Sequence, residues 1–288
     1  MRPILSLILI LPILAFYSCN KIESGHGRAS FYLTDGPLES NNVSGVVICI
    51  TRVEAFGPDG WKVIKEYEKP EAVDLFSLQG GETLFLEEKE LVSGKYDQIK
   101  LGLVVSQTSD GGNLPAHYIK FNDGTVSEIS VPIGDQAGYT IIGDFTIPDG
   151  GITSIIMDFD LRKSVLKMQN SEQIILKPTV RLLEEAKVGS VQGVISGISG
   201  TRVAYAYKGG NFNDNESTPN ADGVRFNNAE SSSNVDENGN YYISYLPSDE
   251  YDIVVASFDG EGNFIEVKTI EEGVVINDGE LKTLNITI

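Results

Sequence analysis

The sequence contains few of the residues from which metal centres, disulfide frameworks and nucleic-acid surfaces are built. Among its 288 residues are two cysteines, two histidines and one tryptophan, and 22 basic residues stand against 41 acidic ones. Two cysteines allow at most one disulfide, and a zinc site of the Cys₂His₂ kind would need all four of the cysteines and histidines together. The formal net charge of -19 argues against binding to nucleic acid or to an anionic lipid surface through a basic face. We therefore predict no metal, no cofactor and no nucleic-acid partner.

Long apolar runs are also scarce, and the run near the N-terminus is too short to span a membrane. It covers residues 4–16, whereas a spanning helix needs ~20 apolar residues. Behind it Ser18 precedes Cys19, and a polar stretch follows. This pattern resembles the lipobox of bacterial lipoproteins, and the aromatic residues Phe16 and Tyr17 at its preceding positions occur in lipoproteins of Bacteroidota.

The resemblance to a lipobox implies a cellular location and a membrane anchor. Residues 1–18 would be a cleaved lipoprotein signal peptide, Cys19 would be lipidated, and residues 19–27 would form a tether. The protein would then be an outer membrane lipoprotein, either periplasmic or at the cell surface, with the membrane as a partner through Cys19. The alternatives are an ordinary cleaved signal or an uncleaved anchor, in which Cys19 has no role.

The rest of the chain predicts an all-β protein. Short β-branched and aromatic runs recur between clusters of Gly, Asp, Asn and Pro, and almost no stretch has a helical period. Residues 28–34 alternate apolar and polar, and Asp35 is suited to a turn after that strand. A hairpin is predicted around residues 57–60. For residues 84–92 the sequence is compatible with either a short helix or a strand followed by a turn.

The strand pattern divides near Lys187. We predict two tandem β-sandwich domains, at residues 28–186 and 189–288. In the second, residues 208–234 are polar, and such a composition buries too little apolar surface to order itself. We expect a long exposed loop that contains at most one short strand, at residues 223–226, and whose removal leaves stability nearly unchanged.

The first domain resembles a family of Bacteroidota lipoprotein domains known as domain of unknown function 4382. The resemblance covers residues 28 to about 183 and depends on the order of several short motifs. They are Thr34-Asp35-Gly36-Pro37, Gly60-Trp61, Val73-Asp74-Leu75-Phe76-Ser77-Leu78, Ser93-Gly94-Lys95-Tyr96-Asp97, Met157-Asp158-Phe159-Asp160-Leu161 and Leu176-Lys177-Pro178. The resemblance implies a fold and a cellular location. It implies no activity, because the family has none assigned.

The second domain is similar to a carboxypeptidase-regulatory-like or prealbumin-like β-sandwich, of immunoglobulin-like or transthyretin-like architecture. The motifs are Gly189-Ser190-Val191-Gln192-Gly193-Val194, Val235-Asp236-Glu237-Asn238-Gly239-Asn240 and Leu246-Pro247-Ser248-Asp249-Glu250-Tyr251. Such domains act as accessory modules that stiffen, space or bind. Both domains carry a tyrosine at the start of a strand, Tyr96 and Tyr251, which predicts an inward ring whose hydroxyl holds a neighbouring loop.

Catalytic candidates are few. Asp158 and Asp160 lie two apart in a predicted strand, so both would share one face with Arg162. A carboxylate pair could serve glycoside chemistry, but a wet sheet face on which Arg162 offsets both acids is the favoured interpretation. His26 and His117 have no nucleophile nearby in sequence.

The remaining motifs favour structural roles. Cys49 lies in a run of β-branched residues, which predicts a buried position in a strand. The oxygen-rich residues 236–240 are chiefly an Asn-Gly hairpin signal, although calcium binding there stays open. The sequence therefore favours a non-enzymatic cell-envelope lipoprotein acting as a binding, adhesion or assembly module, with an unidentified glycan or protein ligand. The alternative is a cell-envelope glycan-processing enzyme, or an accessory subunit of one, using Asp158 and Asp160.

Overall fold

The chain is almost entirely β-structure, which confirms the predicted fold class. The computed structural model describes residues 25–38, 42–104, 114–132, 138–168, 171–197 and 200–288. The strands of the first part are β1 (His26–Gly36), β2 (Val43–Gly57), β3 (Gly60–Asp74), β4 (Leu84–Val92), β5 (Gly94–Leu103), β6 (Tyr118–Phe121), β7 (Val126–Ser130), β8 (Tyr139–Ile147), β9 (Ile152–Asp160), β10 (Val165–Lys167), β11 (Ile174–Leu176) and β12 (Val180–Glu184). Those of the second part are β13 (Val188–Ser196), β14 (Thr201–Lys208), β15 (Ser231–Asn234), β16 (Asn240–Pro247), β17 (Asp249–Phe258), β18 (Phe264–Ile276), β19 (Leu281–Thr283) and β20 (Ile286–Thr287).

Helical structure is confined to single turns within these ranges. The helix α1 spans Leu161–Ser164, and 3₁₀ turns lie at Leu75–Leu78, Glu185–Lys187 and Asp214–Ser217. Residues 84–92, for which the sequence left a helix open, form β4 alongside β1.

The first part of the chain folds into two facing sheets. One has the order β12-β9-β1-β4, and the other the order β10-β11-β7-β6-β2-β5-β8 with β3 beside β2. As the alternation of β1 predicts, Ala29, Phe31 and Leu33 are fully buried. The Phe31 ring meets Phe145 of the opposite sheet edge-on, at 6.2 Å between centroids. Burying rings of this size, at roughly 1.5–3 kcal/mol each, holds the two sheets together.

The second part also forms two facing sheets, ordered β16-β13-β19 with β20 beside β13, and β15-β14-β17-β18. Val191 and Ile243 from one sheet and Ile253 and Val255 from the other belong to one buried cluster. Among the described residues, strand pairing does not cross from the first part to the second. We call the two parts the first and second sheet pairs.

The predicted tyrosine corners are present in both sheet pairs. The Tyr96 ring is buried, and its hydroxyl donates to the carbonyl of Val92 at 3.0 Å. The Tyr251 ring is also buried, and its hydroxyl donates to the carbonyl of Pro247 at 2.7 Å. In each case the acceptor lies four residues upstream, so the hydroxyl fixes the turn that leads into the strand.

Residues 208–234 are not the exposed loop that their composition predicted. Phe226 is fully buried, stacked on Tyr205 at 4.3 Å between ring centroids, and Val224 and Ala229 are buried with it. Residues 223–226 form no strand, so that prediction was also wrong. The segment covers the outer face of β14 and β17, whose side chains are consequently buried on both faces.

Candidate functional site

Asp158 and Asp160 lie at the end of β9, in the middle of its sheet. β1 runs parallel to β9 on one side, so that Thr34 stands opposite Asp158, and β12 runs antiparallel on the other, so that Arg181 stands opposite Asp158. After Asp160 the chain leaves the sheet and forms α1. β9 is therefore paired on both edges. The carboxylates of Asp158 and Asp160, at its C-terminal end, lie among side chains of the neighbouring strands.

Each of the two carboxylates is bonded to a different basic residue. Asp158 Oδ2 accepts from Arg181 Nε at 3.0 Å and also from Arg181 Nη2. Asp160 Oδ2 lies 3.0 Å from Arg162 Nη2 and 3.1 Å from Lys163 Nζ. The sequence missed Arg181 because it lies on a different strand, and only the β9–β12 register brings it opposite Asp158.

The predicted wet sheet face was wrong. Asp158 is only 6% exposed, and Phe159 and Leu161 on either side of Asp160 are fully buried. Arg162 lies in α1 and offsets Asp160, whereas Arg181 offsets Asp158. Burial raises the pKa of Asp158, and the Arg181 guanidinium opposes that rise. Burial acts to raise the pKa of Asp160 as well, but the neighbouring Arg162 and Lys163 together outweigh it and hold that pKa below its usual range.

A third carboxyl, that of Asp35, joins the same group. The sequence placed Asp35 in a turn after the first strand, but it lies within β1 and is buried. Its Oδ1 accepts from the backbone N–H of Leu161 at 3.2 Å, at the start of α1. Burial, reinforced by the charges of Asp158 and Asp160, raises the pKa of Asp35 well above its ordinary value.

The basic residues of this group also reach the second sheet pair. Arg162 Nη1 donates to the carbonyl of Phe226 at 3.3 Å, and Lys163 Nζ donates to the carbonyl of Ala229 at 2.9 Å. Arg181 Nη1 lies 3.7 Å from Glu230 Oε2. We define the ionic cluster as these groups, namely Asp35, Asp158, Asp160, Arg162, Lys163, Arg181 and Glu230.

The ionic cluster connects the first sheet pair to residues 226–230 of the second. A glycosidase needs one protonated and one ionised carboxyl group flanking a substrate-filled space. Here Asp158 and Asp160 are each engaged by basic side chains, and residues 226–230 lie above those side chains. Breaking a buried pair of this kind leaves an uncompensated charge, at about 3–5 kcal/mol. The arrangement thus fastens residues 226–230 onto the first sheet pair.

A second feature is a groove of about 630 Å³ on the outer face of the sheet β16-β13-β19. Tyr242, Gln192 and Thr283 lie in register across β16, β13 and β19, so their side chains form a row on one face. Gly80, from the first sheet pair, borders the same groove. We call this space the polar groove.

A loop of the first sheet pair closes one side of the polar groove. Gly81 has φ +87°, and a Cβ added to it would lie 2.6 Å from Tyr242 Cε1. The Tyr245 hydroxyl donates to the carbonyl of Gly81 at 3.1 Å. Tyr245 has φ +56° and Phe226 has φ +49°, the positive-φ residues other than glycine in the described part of the chain. Both lie where the two sheet pairs meet, so packing there offsets the cost of an unfavourable backbone conformation.

The histidines and the buried cysteine have structural settings. His117 Nδ1 accepts from the backbone N–H of Cys49 at 3.2 Å, and its Nε2 lies 2.8 Å from the carbonyl of Val104. Burial lowers the pKa of His117 and raises that of the Cys49 thiol. The prediction of a buried strand cysteine is confirmed. His26, at the start of β1, is exposed.

Metal ligands do not converge in the part of the chain that the structure covers. No group of three His, Cys, Asp or Glu side chains there is placed to hold an ion. In residues 236–240, Asp236 Oδ1 accepts from the N–H groups of Asn238 and Asn240 at 2.8 Å each. Asp236 Oδ2 accepts from the Asn240 side chain at 2.7 Å. The segment is a hairpin turn closed by its own aspartate.

Comparison with known proteins identifies the first sheet pair. The family described as "Domain of unknown function (DUF4382)" matches residues 26–178, more than half of the chain. The chain belongs to this DUF4382 family. The resemblance predicted from the motifs of residues 28–183 is thereby confirmed at family level. Residues 189–288 lie outside the matched range, so their likeness to carboxypeptidase-regulatory domains stays a prediction. No curated protein sequence matches this DUF4382 protein.

Several solved structures of bacterial proteins resemble the DUF4382 protein weakly. The Bacillus anthracis TIE protein is 11% identical with a TM-score of 0.21, over 91% of this chain and 34% of its own. BcpA, the major pilin subunit of Bacillus cereus, is 11% identical with a TM-score of 0.23, over 91% of this chain and 69% of its own. The fimbrial anchor protein Mfa2 from Porphyromonas gingivalis is 11% identical with a TM-score of 0.20, over 84% and 82%. This chain thus spans about a third of the TIE protein, and superpositions this loose support no inference about function.

Membrane-spanning helices were sought in the described residues of the DUF4382 protein. None of the helices found there is long and apolar enough to cross a bilayer. Residues 1–18 and Cys19, on which the signal-peptide and lipidation predictions depend, lie outside the described residues.

Proposed function

We propose that this protein is a non-enzymatic lipoprotein of the cell envelope, anchored through Cys19, that acts as a binding, adhesion or assembly module. The observation that carries the proposal is the state of the candidate catalytic acids. Asp158 and Asp160 are engaged by Arg181, Arg162 and Lys163, and these basic side chains also contact residues 226–230. The polar groove, a larger space open to a ligand, is lined by neutral side chains.

The anchoring half of the proposal depends on the sequence around Cys19. Cys19 follows the apolar run of residues 4–16 closely, and a short tether then leads into β1 at His26. Several acyl chains on that residue would hold the protein firmly, since each buried methylene contributes roughly 0.8 kcal/mol. The tether would place both sheet pairs in the aqueous phase beside the membrane, where a binding surface can be reached.

The Cys19→Ala variant tests the anchor. In cells grown with a palmitate analogue, the wild-type protein should be labelled and should sediment with the membrane fraction, whereas the variant should be unlabelled and soluble. Cys49→Ala is the matched control, because Cys49 is buried in β2 and should be irrelevant to labelling. Unchanged labelling of the Cys19 variant would contradict the lipoprotein assignment. Hydrolysis of a polysaccharide by the purified protein would contradict the non-enzymatic assignment.

A further inference from the structure

The polar groove is free of charged side chains, although acidic residues outnumber basic ones by 41 to 22 in the sequence. Its lining offers side-chain amides, hydroxyl groups, the ring of Tyr242 and glycine backbone. The residues that matter most are Gln192, Tyr242, Thr283 and Asn285. A charged ligand would find no side chain of opposite charge in this lining. Amides and hydroxyls both donate and accept, which suits a ligand whose own groups do the same.

The hydrogen-bonding groups along the row are available to a ligand. The side-chain amide of Gln192 and the hydroxyl of Thr283 make no hydrogen bond to other residues in the described ranges. Asn285 Oδ1 accepts from the N–H of Val194 at 3.0 Å, which orients its NH₂ group without using it. Gln192 and Thr283 stand on strands of a packed sheet, and Asn285 is held by its bond to Val194, so binding would require little ordering of the protein.

The groove also has an apolar surface and a defined length. The Tyr242 ring is half-buried against Gly81, and its hydroxyl lies 3.2 Å from Ser190 Oγ, so the ring is held in place at one end of the row. Val194, 39% exposed, adds an aliphatic surface beside it. Neighbouring strands are about 4.8 Å apart, so a row across three strands extends over roughly 10 Å. A volume of about 630 Å³ is in the range of ligand sites.

A peptide cannot add to β13, the central strand of this sheet, as an extra strand. β13 runs through the middle of the groove and is already paired with β16 on one edge and with β19 and β20 on the other. It therefore offers no free row of backbone N–H and C=O groups, which strand addition requires. A ligand that lies over β13 is therefore recognised by side chains across the face of the sheet.

We propose that the polar groove binds a neutral oligosaccharide, with Gln192, Thr283 and Asn285 bonding sugar hydroxyls and the Tyr242 ring packing against the C–H face of a sugar unit. This ligand class rests on the proposed binding function and specifies its target. The site is assembled from both sheet pairs, because Gly80 and Gly81 of the first complete the wall formed by Tyr242 of the second.

The test is calorimetric titration of the full chain, purified in a detergent without a sugar headgroup, with defined hexasaccharides. The neutral probes are maltohexaose, cellohexaose, mannohexaose and chitohexaose, so that plain and acetamido sugars are compared, and hexagalacturonate is the charged counterpart. At least one neutral probe should bind saturably. Gln192→Ala and Thr283→Ala should each weaken that binding by about tenfold or more without lowering the melting temperature. Tyr242→Ala should weaken it further.

Thr146→Ala is the matched control, because Thr146 is an exposed strand residue of β8 outside the groove. It should leave affinity unchanged. The proposal is overturned if no neutral probe binds at up to about 10 mM, if Gln192→Ala and Thr283→Ala bind like wild type, or if hexagalacturonate binds more tightly than every neutral probe. Groove-dependent capture of an uncharged peptide library without sugar binding would also overturn it. These failures concern the ligand, and they are distinguishable from failure of the anchor, which palmitate labelling reports separately.

Discussion

Asp35 is an acid placed where its charge is disfavoured. It is buried in β1, close to Asp158 and Asp160, and both burial and these neighbours raise its pKa well above the ordinary value. Asp158 and Asp160 have basic partners, whereas Asp35 makes its hydrogen bond to the backbone N–H of Leu161. A neutral carboxyl can make that bond through its carbonyl oxygen, so the protonated form satisfies the site with less desolvation.

The Asp35→Asn variant should therefore remove part of the pH dependence of stability. When the folded pKa of an acid exceeds its unfolded value of 3.8, its contribution to stability is complete below that pH and is lost as the pH rises towards the folded pKa. Asparagine cannot ionise, and its side-chain oxygen can still accept from Leu161. We expect the variant to gain stability relative to wild type as the pH rises from about 3 to about 7 in urea unfolding experiments.

An aspartate shifted in the opposite direction provides the control for that experiment. Hydrogen bonds from the Thr125 hydroxyl and N–H lower the pKa of Asp123. Its contribution is present above the unfolded pKa and is lost as the pH falls, so Asp123→Asn should lose stability relative to wild type as the pH rises. Parallel stability curves for wild type and Asp35→Asn would show that Asp35 ionises normally in the folded protein.

At the scale of single elements, residues 208–234 act as a third layer. They cover β14 and β17 with Phe226, Val224 and Ala229, and accept hydrogen bonds from Arg162 and Lys163 through backbone carbonyls. Glu216 also holds the segment, because its carboxylate accepts from the N–H and the side chain of Asn228. A mostly polar segment is thus ordered by one buried ring and by backbone hydrogen bonds.

Replacing residues 209–230 with a short Gly-Ser link should destabilise the protein more than Tyr251→Ala does. The replacement removes Phe226 and uncovers Tyr205 and Tyr207. It also removes the backbone carbonyls and the Glu230 carboxylate that the basic residues of the ionic cluster contact in this segment. Tyr251→Ala, which empties one buried ring site, should cost about 3–5 kcal/mol. Urea unfolding of both variants and of Phe226→Ala, for which we also expect about 3–5 kcal/mol, measures the difference.

Phe85→Ala is the matched control for Phe226→Ala, because the Phe85 side chain is 53% exposed and meets only the Tyr32 ring among the described aromatic residues. It should cost less than about 1 kcal/mol. If the replaced segment left unfolding like that of wild type, residues 208–234 would behave as the exposed loop that their composition predicted.

On the scale of the whole molecule, the two sheet pairs have separate cores and a shared boundary. One buried cluster lies within residues 29–182, and another within residues 191–286. The boundary is polar: besides the ionic cluster, Lys177 Nζ lies 3.1 Å from Asp222 Oδ2, and the Tyr245 hydroxyl donates to the Gly81 carbonyl. A boundary of this kind orients the two parts without merging their cores.

Fragments 27–186 and 189–288 should each unfold cooperatively when expressed alone, because each retains both sheets of its own core. The isolated second fragment loses Arg162, Lys163 and Arg181, which bind residues 226–230, so we expect it to melt below the corresponding transition of the full chain. Circular dichroism and thermal melts measure both effects. Two unfolded fragments beside a folded full chain would show that the division near Lys187 does not separate domains.

Features that depend on local pattern could be predicted from the amino-acid sequence. Alternation in residues 28–34 predicted the buried face of β1, the Gly-Pro-Asp-Gly turn at residues 57–60 predicted the β2–β3 hairpin, and two tyrosines predicted the corners. These are properties of neighbouring residues, since strand period and turn chemistry act over a few positions. The order of the short motifs also identified the family, because that order is a property of the linear sequence.

The contacts between distant residues became known from the three-dimensional fold. The β9–β12 register placed Arg181 on Asp158, and the β16–β13–β19 register aligned Tyr242, Gln192 and Thr283. A period of two says which face a side chain takes within its own strand but not which strand lies beside it. The continuous apolar runs of β14 and β17 did carry a signal that both faces are covered, but not that residues 208–234 cover one of them. Tertiary packing determines which segment covers that face, and the buried ring of Phe226 contributes more to this packing than the polar residues around it.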